Sequence, residues 1–412
     1  MNLFSSKLST PVSALLLAAS GILATGFVAC SPRRGPDTPT PAAGPRASTF
    51  EAGAASRIRD SVRTVLERAI ADSAFPGGYA VIGTADGIVA EWGAGVLDPA
   101  DPVRPSATTV WDLASLTKVV GTTSAMLQLI GSGKVALDAP VVRYLPAWQA
   151  RGTSSVTIRH LLTHSAGLPA WRALYKEARD PEEARRQVLA TGPDTVPGTR
   201  LLYSDLGFIL LGMVVERVSG EPLDQYTARH VFAPLGMTDT RFLPPAAWVP
   251  RIAPTERDPW RQRHLRGEVH DENASRLGGV SGHAGLFSTA RDLSRLARAY
   301  LQHGQLAGVR VFDSTTVGTF TSVQDSTVSR RALGWETPTG GNSAGRRLSS
   351  RAFGHTGFTG TSLWMDPQRG LFVILLTNRV NPTRENRKIG AVRSALADAV
   401  VGAMDGGAPL GR

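Results

Sequence analysis

Cysteine and lysine are scarce in this chain. The single cysteine among 412 residues, Cys30, excludes a disulfide framework within one chain and any cysteine-built metal site. Only five lysines (7, 118, 134, 176 and 388) stand among 45 basic residues, so arginine carries most of the formal charge of +11. Those arginines are spread along the chain with no nucleic-acid motif beside them. The charge therefore reads as genome-level base composition, and no nucleic-acid partner is expected. Long apolar runs are missing except at the extreme N-terminus, which excludes a polytopic membrane protein. No glycine-rich phosphate loop follows a strand, so no nucleotide site is expected. What is present is ordinary for a folded protein: 42% hydrophobic residues, 19% charged and a mean hydropathy of −0.06.

Residues 1–30 read as an export signal. Lys7 supplies the positive start, Val12 to Val28 form an apolar segment broken by Gly21 and Gly26, and small residues precede Cys30. The run Phe27-Val28-Ala29-Cys30 resembles a bacterial lipobox, with Phe27 where leucine is usual. The resemblance implies lipidation of Cys30 and a membrane anchor. Ser31 stands where a retention signal would have Asp, which points to the outer membrane or cell surface. Plain secretion and an uncleaved anchor are the alternatives. Residues 31–50, with prolines at 32, 36, 39, 41 and 45, read as a semi-extended spacer.

A folded domain is expected over 51–405. Ile58, Val62, Val65, Leu66 and Ile70 recur at helical spacing. Tyr79 to Gly83 and Ile88 to Gly95 read as strands joined at Ala85-Asp86-Gly87. The middle reads as helical: Leu113 to Leu129, Phe208 to Val218, and Ala290 to Leu301 with Ser288-Thr289 as its cap. Strand character returns at Ala332 to Glu336, Ala352 to Thr356, Thr361 to Asp366 and Leu371 to Asn378. A helix from Arg387 to Ala403 closes the domain. This order predicts an α/β (α+β) fold, an antiparallel sheet flanked by helices. An α/β lobe over 51–110 and 290–405 would hold an inserted helical lobe over 111–289.

The chemistry centres on Ser115-Leu116-Thr117-Lys118. Positions three apart on a helix share one face, so the hydroxyl and the amine can meet. A hydroxyl becomes a good nucleophile only when a base takes its proton. A lysine in the apolar stretch from Ala114 to Val120 suits that task better than it suits a surface. Two further elements follow in order: Tyr203-Ser204-Asp205 and His355-Thr356-Gly357.

These three motifs resemble the penicillin-recognising serine hydrolases: D-alanyl-D-alanine carboxypeptidases, class C β-lactamases and related esterases. The resemblance covers roughly residues 55 to 400. It includes Trp111 to Ala114, Ile158 to Leu168 and Gly282 to Thr289. It implies a β-lactamase/transpeptidase-like fold, no metal and no cofactor. It implies Ser115 as the acylated nucleophile, Lys118 as proton acceptor or relay, and Tyr203 as the proton shuttle, with Lys118 lowering the tyrosine's pKa. The backbone N–H groups of Ser115 and Phe358 would form the oxyanion hole. Asp205, His355, Thr356 and Gly357 would line the substrate site, joined by His270, Asn273 and His283 from nearby loops. His160 and His164 read as structural.

Two departures bear on the substrate. His355 stands where the family usually has Lys, so the fixed cation for a substrate carboxylate is missing or pH-dependent. Asp205 replaces a frequent Asn. The absence of a G-x-S-x-G elbow argues against an α/β-hydrolase fold. The function expected is hydrolysis of an ester or amide through an acyl-enzyme, on a small carboxylester or a cell-wall peptide. A true β-lactamase is one alternative. A non-catalytic envelope sensor or binding module is another.

Overall fold

The computed structural model describes residues 53–100 and 102–406. The export signal, Cys30 and the spacer lie outside the described residues.

Five helices frame the architecture: α1 (Ala54–Ala71), α2 (Ser124–Gly131), α3 (Asp205–Ser219), α4 (Ala290–Leu301) and α5 (Ile389–Met404). A five-stranded sheet is built from both ends of the chain. β1 (Gly77–Thr84) and β2 (Ile88–Gly95) form the early hairpin. β3 (Phe353–Thr356), β4 (Ser362–Asp366) and β5 (Leu371–Thr377) form a late meander. The spatial order is β3-β4-β5-β1-β2 and every pair is antiparallel. β1 closes the sheet on β5, with Val81 opposite Ile374 and Tyr79 opposite Leu376.

Period-two alternation divides these strands between two cores. Tyr79, Val81, Leu363, Met365, Phe372, Ile374 and Leu376 join the main core, on the face where α4 packs. Ala80, Ile82, Trp364, Leu371, Val373 and Leu375 join a second core with α1 and α5. Because both faces are covered, β5 reads as an unbroken apolar run rather than an alternating one. Each fully buried large aliphatic or aromatic side chain contributes roughly 1.5–3 kcal/mol. No helix among the described residues is long and apolar enough to cross a membrane.

Several elements fall where the sequence puts them. α4 has the expected bounds, and its cap is Thr289, whose hydroxyl accepts from the Asp292 N–H. Others differ. The helix expected over Leu113 to Leu129 starts later. A π-helical turn, Lys118–Thr123, leads into α2. Such turns place an extra residue in the helix and are frequent at functional sites. Ala332 to Glu336 is not a strand; Glu336 makes one isolated bridge to Gly354. The middle of the chain also holds a small three-stranded sheet of Trp111–Asp112, Leu286–Ser288 and Arg241–Phe242. Strands of two or three residues are too short for periodicity to reveal.

Candidate active site

The site begins at an unusual backbone position. Ala114 has φ 45°, a left-handed conformation uncommon for a residue with a Cβ. Asp112 holds it there. This fully buried carboxylate accepts from Ala114 N–H (2.8 Å) through one oxygen and from His270 N–H (2.6 Å) through the other. Burial pushes its pKa up, and the two backbone donors pull against that.

Ser115 follows, at the head of the helical segment, and Lys118 lies one turn on. Lys118 Nζ donates to Ser115 Oγ (3.0 Å) and to the His283 carbonyl (3.1 Å), and pairs with Asp205 Oδ1 at 2.8 Å. Its side chain is 0% exposed. Burial alone would lower the lysine's pKa. The Asp205 carboxylate, with Tyr203 acting in the same direction, outweighs it, so the net direction is up and the resting group is an ammonium. Asp205, Asp271 and His283 bring one donor atom each within 4.8 Å of one another. The Lys118 ammonium meets the negative charge gathered there.

Tyr203 reaches the same point from just before α3. Its hydroxyl interacts with both Lys118 and Ser115. Lys118 Nζ lies 5.1 Å from its ring centroid, and the His164 ring stacks on it at 4.3 Å. His164 is fixed by the Ser204 N–H on its Nδ1 (3.1 Å). The expected lowering of the Tyr203 pKa is not what the site produces. Burial raises it first; Lys118 lowers it and Asp205 raises it again, leaving a net increase. Tyr203 is thus a neutral phenol beside an ammonium.

The strand edge carrying Phe358 is stitched to the segment before Ser115. Thr359 Oγ1 donates to the Asp112 carbonyl (2.8 Å) and Thr361 Oγ1 to the Leu113 carbonyl (3.0 Å). Gly357 permits this approach, since a Cβ there would stand 2.3 Å from the Leu113 oxygen and 2.1 Å from Thr361 Oγ1. Neither Ser115 N–H nor Phe358 N–H makes a hydrogen bond to another described residue.

These groups open on a cavity of about 430 Å³. Ser115, Tyr203, Asp205, His270 and Phe358 line it, with Trp171, Tyr175, Asp271, Glu272 and Arg384. Trp171 and Phe358 are about half exposed, giving the mouth an aromatic edge. Every charged group on the wall is already paired. Asp205 holds Lys118. Asp271 holds His283 Nε2 at 2.9 Å, and the pair keeps the Asp271 pKa low despite burial. Arg384, the only Lys or Arg lining the cavity among the described residues, is shared by Glu256 (2.6 Å) and Glu272 (2.7 Å).

Five sequence-predicted substrate residues stand elsewhere. His355 is 1% exposed and does not line the cavity. Its Nδ1–H donates to the Thr356 carbonyl (2.8 Å), and burial, Arg331 and Lys118 hold its pKa well below the ordinary imidazole range. It is a neutral core histidine. Thr356 and Gly357 sit behind Phe358 rather than on the wall. Asn273 is buried, with its amide spent on Tyr175 N–H (3.1 Å) and the Arg172 carbonyl (2.8 Å). His283 works from behind through Asp271 and Lys118. The wall instead carries Asp271 and Glu272, the other two members of the run from His270 to Asn273. The aromatic residues Trp171 and Tyr175 carried no motif.

The family model described as Beta-lactamase matches residues 62–397. The chain belongs to the Beta-lactamase family. A curated relative in Escherichia coli K12, named "Putative D-alanyl-D-alanine carboxypeptidase", is 36% identical, covering 68% of this chain and 71% of that one. Among solved structures, EstCE1, a hydrolase with promiscuous acyltransferase activity, superposes with a TM-score of 0.70 at 23% identity, covering 85% of this chain and all of that one. A penicillin-binding protein homologue from Caulobacter crescentus does so with a TM-score of 0.70 at 21% identity, covering 84% and 97%. This member of the Beta-lactamase family is a serine hydrolase.

Proposed function

We propose that this hydrolase cleaves uncharged carboxylic esters, and amides of similar form, through an acyl-enzyme on Ser115. One observation carries the choice of substrate: among the described residues, the cavity wall offers no unpaired cation. A substrate carboxylate would have to displace Glu256 or Glu272 from Arg384, or meet Asp205 and Asp271 directly. A buried charge left without a partner costs several kcal/mol. An uncharged acyl or alcohol group loses nothing there, and the aromatic edge of Trp171 and Phe358 favours it.

The reactive form is the one in which the Tyr203–Lys118 pair has lost one proton. Ser115 Oγ bonds to the carbonyl carbon, and its proton passes to the pair. The carbonyl oxygen becomes an oxyanion held by Ser115 N–H and Phe358 N–H, each such donor being worth roughly 3–4 kcal/mol. The carbon–oxygen bond to the alcohol breaks and the pair returns the proton to it. Water then repeats the sequence on the acyl-enzyme and frees the acid.

A second reading, hydrolysis of D-alanyl-D-alanine peptides, is supported by the name of the E. coli relative. The full chain should be assayed with p-nitrophenyl acetate, an N-acyl-D-Ala-D-Ala peptide and the methyl ester of that peptide. The present reading expects turnover of the nitrophenyl ester, and cleavage of the esterified peptide ahead of the free acid. Release of D-alanine from the free acid as fast as cleavage of its ester would favour the second reading. We further propose that Cys30 is lipidated and holds the enzyme at the cell envelope, supported by the sequence of residues 1–50. Membrane-fraction enzyme that becomes soluble on Cys30→Ser is the expected result.

A further inference from the structure

Behind the strand edge, on α5, stands Arg393. Its Nη2 donates to the Gly357 carbonyl at 2.6 Å and to the Thr361 carbonyl at 2.9 Å. No carboxylate lies within ion-pair distance of it among the described residues, and its Nε has no partner. Burial, with Arg379 nearby, holds its pKa down at about 10, while Glu336 pulls weakly the other way. An arginine half-buried without a carboxylate partner and spent on backbone carbonyls asks for a reason.

The reason lies in which peptide it grips. The Gly357 carbonyl and the Phe358 N–H belong to one peptide unit. That unit is trans, so its C=O and N–H point in opposite directions. A guanidinium on the oxygen therefore aims the N–H away from α5, and Phe358 lines the cavity with an N–H that has no partner among the described residues. A charge-assisted hydrogen bond on the oxygen also draws electron density from the nitrogen end and strengthens that N–H as a donor. The next carbonyl is held in the same way: Arg379 Nε donates to Phe358 O at 2.7 Å, with its guanidinium 4.3 Å from the Phe358 ring centroid.

We propose that Arg393 is a positioning residue that orients and polarises the Gly357–Phe358 peptide so that its N–H can hold the oxyanion. This rests on the reading of Ser115 as nucleophile and Phe358 N–H as oxyanion donor. Arg393 touches neither substrate nor Ser115. Its effect is confined to the steps in which negative charge grows on the carbonyl oxygen.

The test compares the full-length wild type with Arg393→Met, Arg393→Gln and Arg393→Lys on p-nitrophenyl acetate. Active sites are titrated with a fluorophosphonate that phosphonylates the reactive serine, and folding is followed by melting temperature. The neutral variants should lose about 10-fold in kcat per titrated site, less than the 10²–10³ typical of deleting a donor outright, with KM nearly unchanged. Phosphonate labelling should slow by a similar factor, and Arg393→Lys should recover part of both. A merely structural arginine would lower the melting temperature and the number of titratable sites but leave kcat per site alone. That result, or a change in KM only, overturns the proposal. Where Arg393→Met does not fold, Arg393→Gln is read by the same criteria. Wild-type phosphonate on a residue other than Ser115 would overturn the underlying reading and this inference together. Labelling at Ser115 with kcat per site unchanged in the neutral variants overturns this inference alone.

Discussion

Replacing Asp205 by asparagine keeps the side-chain volume and removes the anion that holds the proton on the Tyr203–Lys118 pair. Asp205 lies 2.8 Å from Lys118 Nζ, with side chains 19% and 0% exposed. It raises the pKa of Lys118 and of Tyr203 alike, so both shifts reverse in the same direction when it is neutralised. An opposite charge at this range moves a pKa by about 1–3 units, or about 1.4–4 kcal/mol. Coulomb's law at an effective dielectric constant near 20 gives a ceiling of about 4 kcal/mol for charges about 4 Å apart. In the wild type the proton-free pair is scarce at neutral pH, so kcat/KM for p-nitrophenyl acetate should climb on the alkaline side. The apparent midpoint belongs to the coupled pair rather than to either residue. In Asp205→Asn that midpoint should fall by about 1–3 pH units, leaving a larger fraction of the variant's own plateau rate at pH 7. The assay is a kcat/KM profile between pH 5 and 10, corrected for spontaneous ester hydrolysis. A midpoint that stays in place or moves upward would refute the assignment of Asp205 as the group that sets the pair's protonation.

Tyr203→Phe removes the hydroxyl that meets both Ser115 and Lys118 while keeping the ring stacked on His164; turnover should fall by ~10²-fold or more, and an unchanged kcat would remove Tyr203 from the mechanism. Glu256 is drawn upward by burial but held at about 2 overall by His270 and Arg384. Since its folded pKa is depressed, its contribution to stability is present above the unfolded value of about 4.3 and lost as pH falls towards 2. The wild type should therefore lose more melting temperature between pH 6 and pH 3 than Glu256→Gln does, and equal losses would contradict that account of the Arg384 clamp.

The sequence carried some of this site plainly. The spacing of Ser115 and Lys118 is a local geometric fact, and a buried lysine in an apolar stretch has few uses. α4 and the β1–β2 hairpin were legible because their periodicity runs over many residues. Other features depend on burial, which residue type does not report. His355 looks like a pH-dependent cation until its ring is placed in the core, where it stays neutral. The run from His270 to Asn273 was visibly rich in polar groups, but which members face the cavity is decided by a five-residue helix, Glu272–Arg276, whose rotation no local pattern fixes. The direction of the Tyr203 pKa was misjudged because only the cation was counted; desolvation and Asp205 outweigh it. Arg393 lies far along the chain from Ser115 and acts on a backbone carbonyl, so no motif could mark it.

The central claim is that Ser115 is the residue acylated. The direct measurement is the intact mass of the full chain after treatment with a fluorophosphonate, which phosphonylates a reactive serine with loss of fluoride, followed by peptide mapping, for the wild type and Ser115→Ala. The account predicts a single adduct per chain, on Ser115, that is lost in the variant while its melting temperature is retained. An adduct on another residue, or labelling that persists in Ser115→Ala, would contradict it.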